Sequence, residues 1–136
     1  MRQTFRKQER LKSSKTIKQL FSGGHSFLLY PFKVNWLPAK PGGMFPARVM
    51  ISVSKKNFPK ASERNHLKRL IREAYRKNKY ILYDYLRENG MHCDFSVVYI
   101  GKSREDEATV ERKIILLFQR LISEAGQYSK AKNKQI

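Results

Sequence analysis

Arg64, Lys68, Arg72 and Arg76 recur every four residues within SERNHLKRLIREAYRKNK, residues 62–79. At about 100° per residue, that spacing carries them slowly along one face of a helix, with Asn65 and Arg69 among them. Between Arg64 and Lys79 there are seven Lys and Arg and one acid, Glu73. A helix stabilised by its own ion pairs would alternate signs. This one repels itself unless it meets an anion. The chemistry such a row offers is phosphate neutralisation with release of counterions. A solvated helix face is the competing reading, but solubility needs less charge than this. Asn65 and His66 add hydrogen-bonding groups at the start of the row.

The rest of the helix is built to hold the row in place. Leu67, Leu70, Ile71, Ala74 and Tyr75 fall at the spacing of one buried face. Ser62 is the expected N-cap, since its hydroxyl can accept from a free N–H of the first turn. The whole chain agrees with a polyanion partner: 29 Lys and Arg against 11 Asp and Glu give +18 over 136 residues. Hydrophobic content of 40% is enough for a packed core, so the chain is not a disordered basic tail. The length fits one domain. A single cysteine, Cys93, excludes an intrachain disulfide framework and fits a cytoplasmic setting. No apolar run is long enough to span a membrane, and no signal or lipidation motif is read, so no membrane partner is expected.

Enzymatic constellations do not stand out. His25 and His92-Cys93 lack the spacing of a zinc site. No Ser-His-Asp, Cys-His or paired-carboxylate arrangement is evident. Glu105, Asp106 and Glu107 are expected to favour the N-terminus of the last helix rather than to hold a metal. No catalytic residue, protein-held metal or small-molecule substrate is therefore expected.

Along the chain, residues 1–13 read as a basic, partly disordered arm. A short helix from about Ser14 carries Ile17, Leu20 and Phe21 and ends at Gly23-Gly24, where glycine would take the left-handed cap. Residues 26–37 read as strand broken by Pro31, with Phe32, Val34 and Trp36 on one face. PAKPGG, residues 38–43, is a turn or hairpin loop, and residues 47–54 are a strand closed by Lys55 and Lys56. The basic helix follows. Its pattern extends through Ile81, Leu82, Tyr85 and Leu86 with a bend, and ends at Gly90. Residues 94–100 are a strand. A final helix runs from about Glu105 to Ala125, capped by Gly126, ahead of a disordered tail. The result is a single α+β domain over 1–136, ordered over about 5–125. Phe21, Phe32, Val34 and Trp36 remain open between core and stacking platform, since one face of a small sheet can stay uncovered for bases.

ISVSKK followed by ERNHLKRLIREAYR resembles the signature region of the bacterial ribonuclease P protein subunit, at Ser52 to Lys56 and Arg64 to Ala74. RLKSSKTIKQLF, Arg10 to Phe21, is similar to that family's opening helix, and the element order agrees over roughly residues 5–125. His66 stands where the family usually has Arg. Ile17 replaces the first of two phenylalanines, and residues 79–90 read as an added segment. The resemblance implies an α-β-β-β-α-β-α fold, a small four-stranded sheet and a left-handed crossover at the basic helix. It also implies a catalytic RNA as partner and removal of the 5′ leader from precursor tRNA. Mg2+ would be held through the RNA, with no cofactor bound tightly by the protein. By the same resemblance, Arg64, Asn65, His66, Lys68, Arg69, Arg72 and Arg76 would bind the RNA subunit. Ile17, Phe21, Phe32, Lys55 and Lys56 would bind the leader in a groove between sheet and first helix. The alternative is a structural RNA-binding protein of ribosomal type with no role in cleavage.

Overall fold

The computed structural model describes residues 4–134. A four-stranded sheet forms the centre: β1 (His25–Leu29), β2 (Phe32–Pro38), β3 (Ala47–Val53) and β4 (Cys93–Tyr99), in the spatial order β1-β2-β4-β3. β1 and β2 pair antiparallel across a reversal at Tyr30–Pro31, whose peptide bond is cis. β4 lies antiparallel to β2 and parallel to β3. The 38–43 segment is therefore not a hairpin loop, because β4 is inserted between the two strands it connects. Parallel β3 and β4 need a long crossover. Helices α2 (Ala61–Asn78) and α3 (Tyr80–Glu88) supply it.

Period-two alternation assigns the two faces of the sheet. Phe32, Val34 and Trp36 of β2 and Phe95, Val97 and Tyr99 of β4 are buried on one face. There the Tyr75 ring of α2 meets Phe95 at 6.2 Å and Phe118 of the last helix, α4 (Glu107–Lys134), at 5.5 Å. Asn35 and Ser96 point the other way. Asn35 donates to the Leu20 carbonyl of α1 (Ser14–Gly23) at 3.5 Å, and buried Leu20 seats that helix on the back of the sheet.

Several boundaries differ from the sequence reading. α2 begins at Ala61 with Lys60 as N-cap, two residues before Ser62. Gly24 ends α1 in an extended conformation, φ −78°, not a left-handed one. It is needed because a Cβ there would lie 2.5 Å from the Leu20 carbonyl oxygen. Gly90, at φ +61°, does take the left-handed conformation at the end of α3. Gly126 is not a cap. α4 runs through it to Lys134, and a Cβ at Gly126 would come within 3.0 Å of the Tyr85 hydroxyl on α3. The helix continues where a disordered tail was expected because Tyr128 still has a core to meet, packing edge-on against Trp36 at 6.0 Å. Asp106 caps the start of α4, its carboxylate accepting from Thr109 N–H at 2.8 Å, and hydrogen bonding with the Thr109 side chain, then with its backbone, holds the carboxyl below its usual range.

Residues 4–13 of the arm are docked on the domain. Its chain runs along the free edge of β3, with Leu11 N–H donating to the Val49 carbonyl at 2.9 Å. Glu9, on a single 3-10 turn (Lys7–Glu9), is fully buried. Its carboxylate meets the Lys79 ammonium at 2.6 Å and the Tyr83 hydroxyl at 2.7 Å, and Tyr83 in turn lies 2.9 Å from the Tyr75 hydroxyl. Lys79 Nζ also donates to the Thr4 carbonyl. Lys79 is the residue at which α2 gives way to α3, so the bend and the arm are fixed by one buried ion pair. No described helix is long and apolar enough to cross a membrane.

Removing one member of that pair strands the other in the interior. Glu9→Gln or Lys79→Met alone should lower stability by about 3–5 kcal/mol, and the double replacement should recover much of the loss. Denaturant melts of the three variants check this. Single variants as stable as the parent would show that the pair does not hold the arm.

Candidate nucleic-acid interface

α2 carries the charged row on the side away from its buried stripe. Leu67, Ile71, Ala74 and Tyr75 are buried, and Leu70 packs at the core's margin. Asn65, His66, Arg69 and Arg72 are exposed, while Arg64, Lys68 and Arg76 are half-buried. The row is not uniform. Arg64 turns back over the entry loop and donates to the Phe58 and Pro59 carbonyls at 2.8 and 2.7 Å. It thus orders the start of a helix whose N-cap makes no side-chain bond. Arg76 donates to Glu73 at 3.1 Å, and this hydrogen bond holds the Glu73 carboxyl below its usual range. Lys77 lies 4.0 Å from Glu107. Lys68, Arg69 and Arg72 make no ion pair among the described residues. The uncompensated charge is therefore concentrated in the middle of the helix.

The docked arm extends this positive surface. Arg10, Lys12 and Arg72 surround a depression of about 160 Å3 whose walls include Phe5, Met50 and Ile51. Arg10 lies 5.0 Å over the Phe5 ring, and Phe5 packs on Tyr75 of α2 at 5.3 Å. Three cations from two segments far apart in sequence thus face one site suited to a phosphate.

On the back of the sheet, α1 leaves much of the surface uncovered. Phe21 is 52% exposed and Ile17 half-buried on α1, while Leu28 and Lys33, opposite one another on β1 and β2, are exposed. Lys55 and Lys56 are exposed in the turn after β3. Phe32 does not belong to this surface. It lies on the opposite face, fully buried, with its ring edge-on to Tyr99 at 5.7 Å, so it has no face to offer a base. Trp36 is likewise core, its indole N–H donating to Glu124 at 2.9 Å. The β2 alternation contains the signal for this: the side chains sharing a face with Lys33 are Asn35 and Leu37, not Phe32.

Among the described residues, no three His, Cys, Asp or Glu side chains cluster as metal ligands. His25 stacks on Trp36 at 4.6 Å. Burial pushes the Cys93 thiol up to about 12, which keeps it protonated and inert as a nucleophile. What these surfaces can do is bind: neutralise phosphates on α2 and the arm, and hold an extended strand beside α1.

Known proteins match this arrangement. The family model described as Ribonuclease P matches residues 5–122. A ribonuclease P protein component from Porphyromonas gingivalis is 36% identical over 106 residues, covering 78% of this chain and 77% of the relative. One from Chlorobium phaeobacteroides is 37% identical over 109 residues, covering 72% and 73%. The RNase P protein of Thermotoga maritima superimposes with a TM-score of 0.65 at 31% identity, covering 82% of this chain and 96% of that one. The Staphylococcus aureus RNase P protein shares the fold, with a TM-score of 0.66 at 23% identity, covering 83% and 94%. Both solved relatives are matched almost end to end while a larger share of this chain is left over, so this chain carries additional residues. The family match spans nearly the whole domain, and the chain belongs to the ribonuclease P protein family, RNA-binding subunits of a tRNA-processing endoribonuclease.

Proposed function

We propose that this protein assists a catalytic RNA in removing the 5′ leader from precursor tRNA. In this reading the α2 row and the arm bind the RNA subunit, and the surface beside α1 binds the single-stranded leader. The RNA carries the catalysis and the Mg2+, and the protein contributes no nucleophile or base. The holoenzyme would act in the cytoplasm, a setting consistent with one buried, reduced thiol. The observation that carries the reading is the run of uncompensated cations at Lys68, Arg69 and Arg72 on a helix anchored by its other side. For the leader, the support is Phe21, an aromatic ring more than half exposed beside the open sheet face and available to stack on a base. Lys33, Lys55 and Lys56 are exposed cations suited to the strand's phosphates.

Charge and packing on α2 can be separated experimentally. Lys68→Ala, Arg69→Ala and Arg72→Ala should each change stability by no more than about 0.5 kcal/mol. Each should lower the salt-dependence slope of RNA-subunit binding by about 1. Leu67→Ala should do the reverse, costing about 2–5 kcal/mol of stability as a core truncation. Arg64→Ala should show both effects, since Arg64 bonds two loop carbonyls. Melting curves paired with binding isotherms across salt concentrations test the set. Unchanged slopes in all three alanine variants would remove α2 from the RNA contact.

Leader binding has its own test. Phe21→Ala should weaken binding of precursor tRNA to the assembled holoenzyme by roughly 1–3 kcal/mol, the value of one stacked base. Mature tRNA, which has no leader, should bind as before. Equal losses for the two tRNAs would place Phe21 outside leader binding.

A further inference from the structure

The helix between α2 and β4 makes a pocket that neither the charged row nor the α1 surface uses. Tyr80, Asp84 and Arg87 stand at i, i+4 and i+7 on α3, one stripe of the helix, and all three are exposed. Met44 and Phe45, from the loop before β3, face them, and Arg6 of the arm closes the rim. The pocket is an open cleft of about 360 Å3, within the size range of small-ligand pockets. Its floor is the buried clasp of Lys79 and Tyr83, so it is preformed. Phe45 and Tyr83 lie 6.3 Å apart with planes tilted by 51°, and Arg87 sits 5.7 Å over the Tyr83 ring.

Three features narrow the occupant. Tyr80 and Met44 are 42% and 74% exposed, large apolar groups on a chain of net charge +18, and they offer a planar apolar ligand two surfaces. Arg6 and Arg87 make no ion pair among the described residues and supply an anion site at the rim. Asp84 would repel a bare anion, yet a carboxylate accepts well from amino and imino N–H groups. A ligand with a flat ring, N–H donors on its edge and a phosphate satisfies all three at once.

We propose that this pocket binds a single unpaired nucleotide of an RNA strand. The base lies between Tyr80 and Met44, its edge donates to Asp84, and its phosphate meets Arg6 and Arg87. Guanine is the preferred base, because its N1–H and N2–H point the same way and can be taken together by one carboxylate. The proposal rests on the RNA-binding reading above and adds a second, base-sensing contact to it.

Methionine methyl resonances test it in the intact protein. The chain has four methionines, and Met44 lines this pocket whereas Met50 lies at the depression beside Arg72. With methyl-13C methionine in the full-length protein, guanosine 5′-monophosphate should shift Met44 saturably, uridine 5′-monophosphate less so, and inorganic phosphate hardly at all. Tyr80→Ala should weaken the Met44 response roughly 5- to 150-fold, the affinity equivalent of one stacked base. Arg87→Ala should weaken binding of both nucleotides, and Asp84→Asn should reduce the preference for guanine. All three side chains are exposed, so melting temperatures should hold. A Met44 response as large with phosphate alone, or one indifferent to all three substitutions, would overturn the proposal. A single-stranded RNA that moves Met50 but leaves Met44 in place would overturn the pocket alone. RNA that binds nowhere on the protein would overturn both this inference and the reading beneath it.

Discussion

Lys68, Arg69 and Arg72, with Arg64 and Arg76 at either end, crowd like charges along α2, and what holds them there is the burial of Leu67, Ile71, Ala74 and Tyr75 on the other side of the same helix. The magnitudes decide the contest. Like charges four apart on a helix cost about 0.2–0.5 kcal/mol per pair. A large apolar side chain taken from water into a core contributes about 1.5–3 kcal/mol. Three such side chains outweigh the repulsion along the row, so α2 can present cations without neutralising them. The mutual repulsion that remains would be relieved by an anion, so the basic surface is a consequence of how the core is built.

A second constraint fixes where that surface ends. Glu9 and Lys79 are both buried and bonded to each other, and Tyr83 adds its hydroxyl to the same carboxylate. Burial raises the Tyr83 phenol well above its ordinary range, so it remains a proton donor to Glu9. This clasp turns the basic arm from a tail into a wall of the molecule. It carries Arg10 and Lys12 to Arg72 and sets Arg6 opposite α3. The same residues thus close the α2–α3 bend, extend the basic surface and floor the pocket above Tyr83.

Periodicity made much of this legible in the sequence. The apolar stripe of α2, the break at Pro31 and the shared face of Phe32, Val34 and Trp36 follow from local spacing alone. The misreadings have a common origin in tertiary contacts. Gly24 and Gly126 look like left-handed caps, but a Cβ at Gly24 would collide with the Leu20 carbonyl, and Gly126 lies inside α4, facing the Tyr85 hydroxyl. Residues 4–13 lack periodicity and look like a free arm, yet one carboxylate, Glu9, finds a partner 70 residues away. Phe32 shows the limit most clearly. Its alternation with Lys33 fixes which residues share its face, but only the docking of α1 on one side and α2 with α4 on the other decides which face is open.

A protein that acts only through an RNA must be silent without it. The direct measurement is reconstitution: precursor tRNA and Mg2+ with the purified protein, with the cognate RNA, and with both, scored for release of the 5′ leader at a Mg2+ concentration low enough to limit the RNA alone. The expected result is no cleavage by the protein, weak cleavage by the RNA, and efficient cleavage at the mature 5′ end when the two are combined. Leader release by the protein alone that survives controls for contaminating nuclease would contradict it.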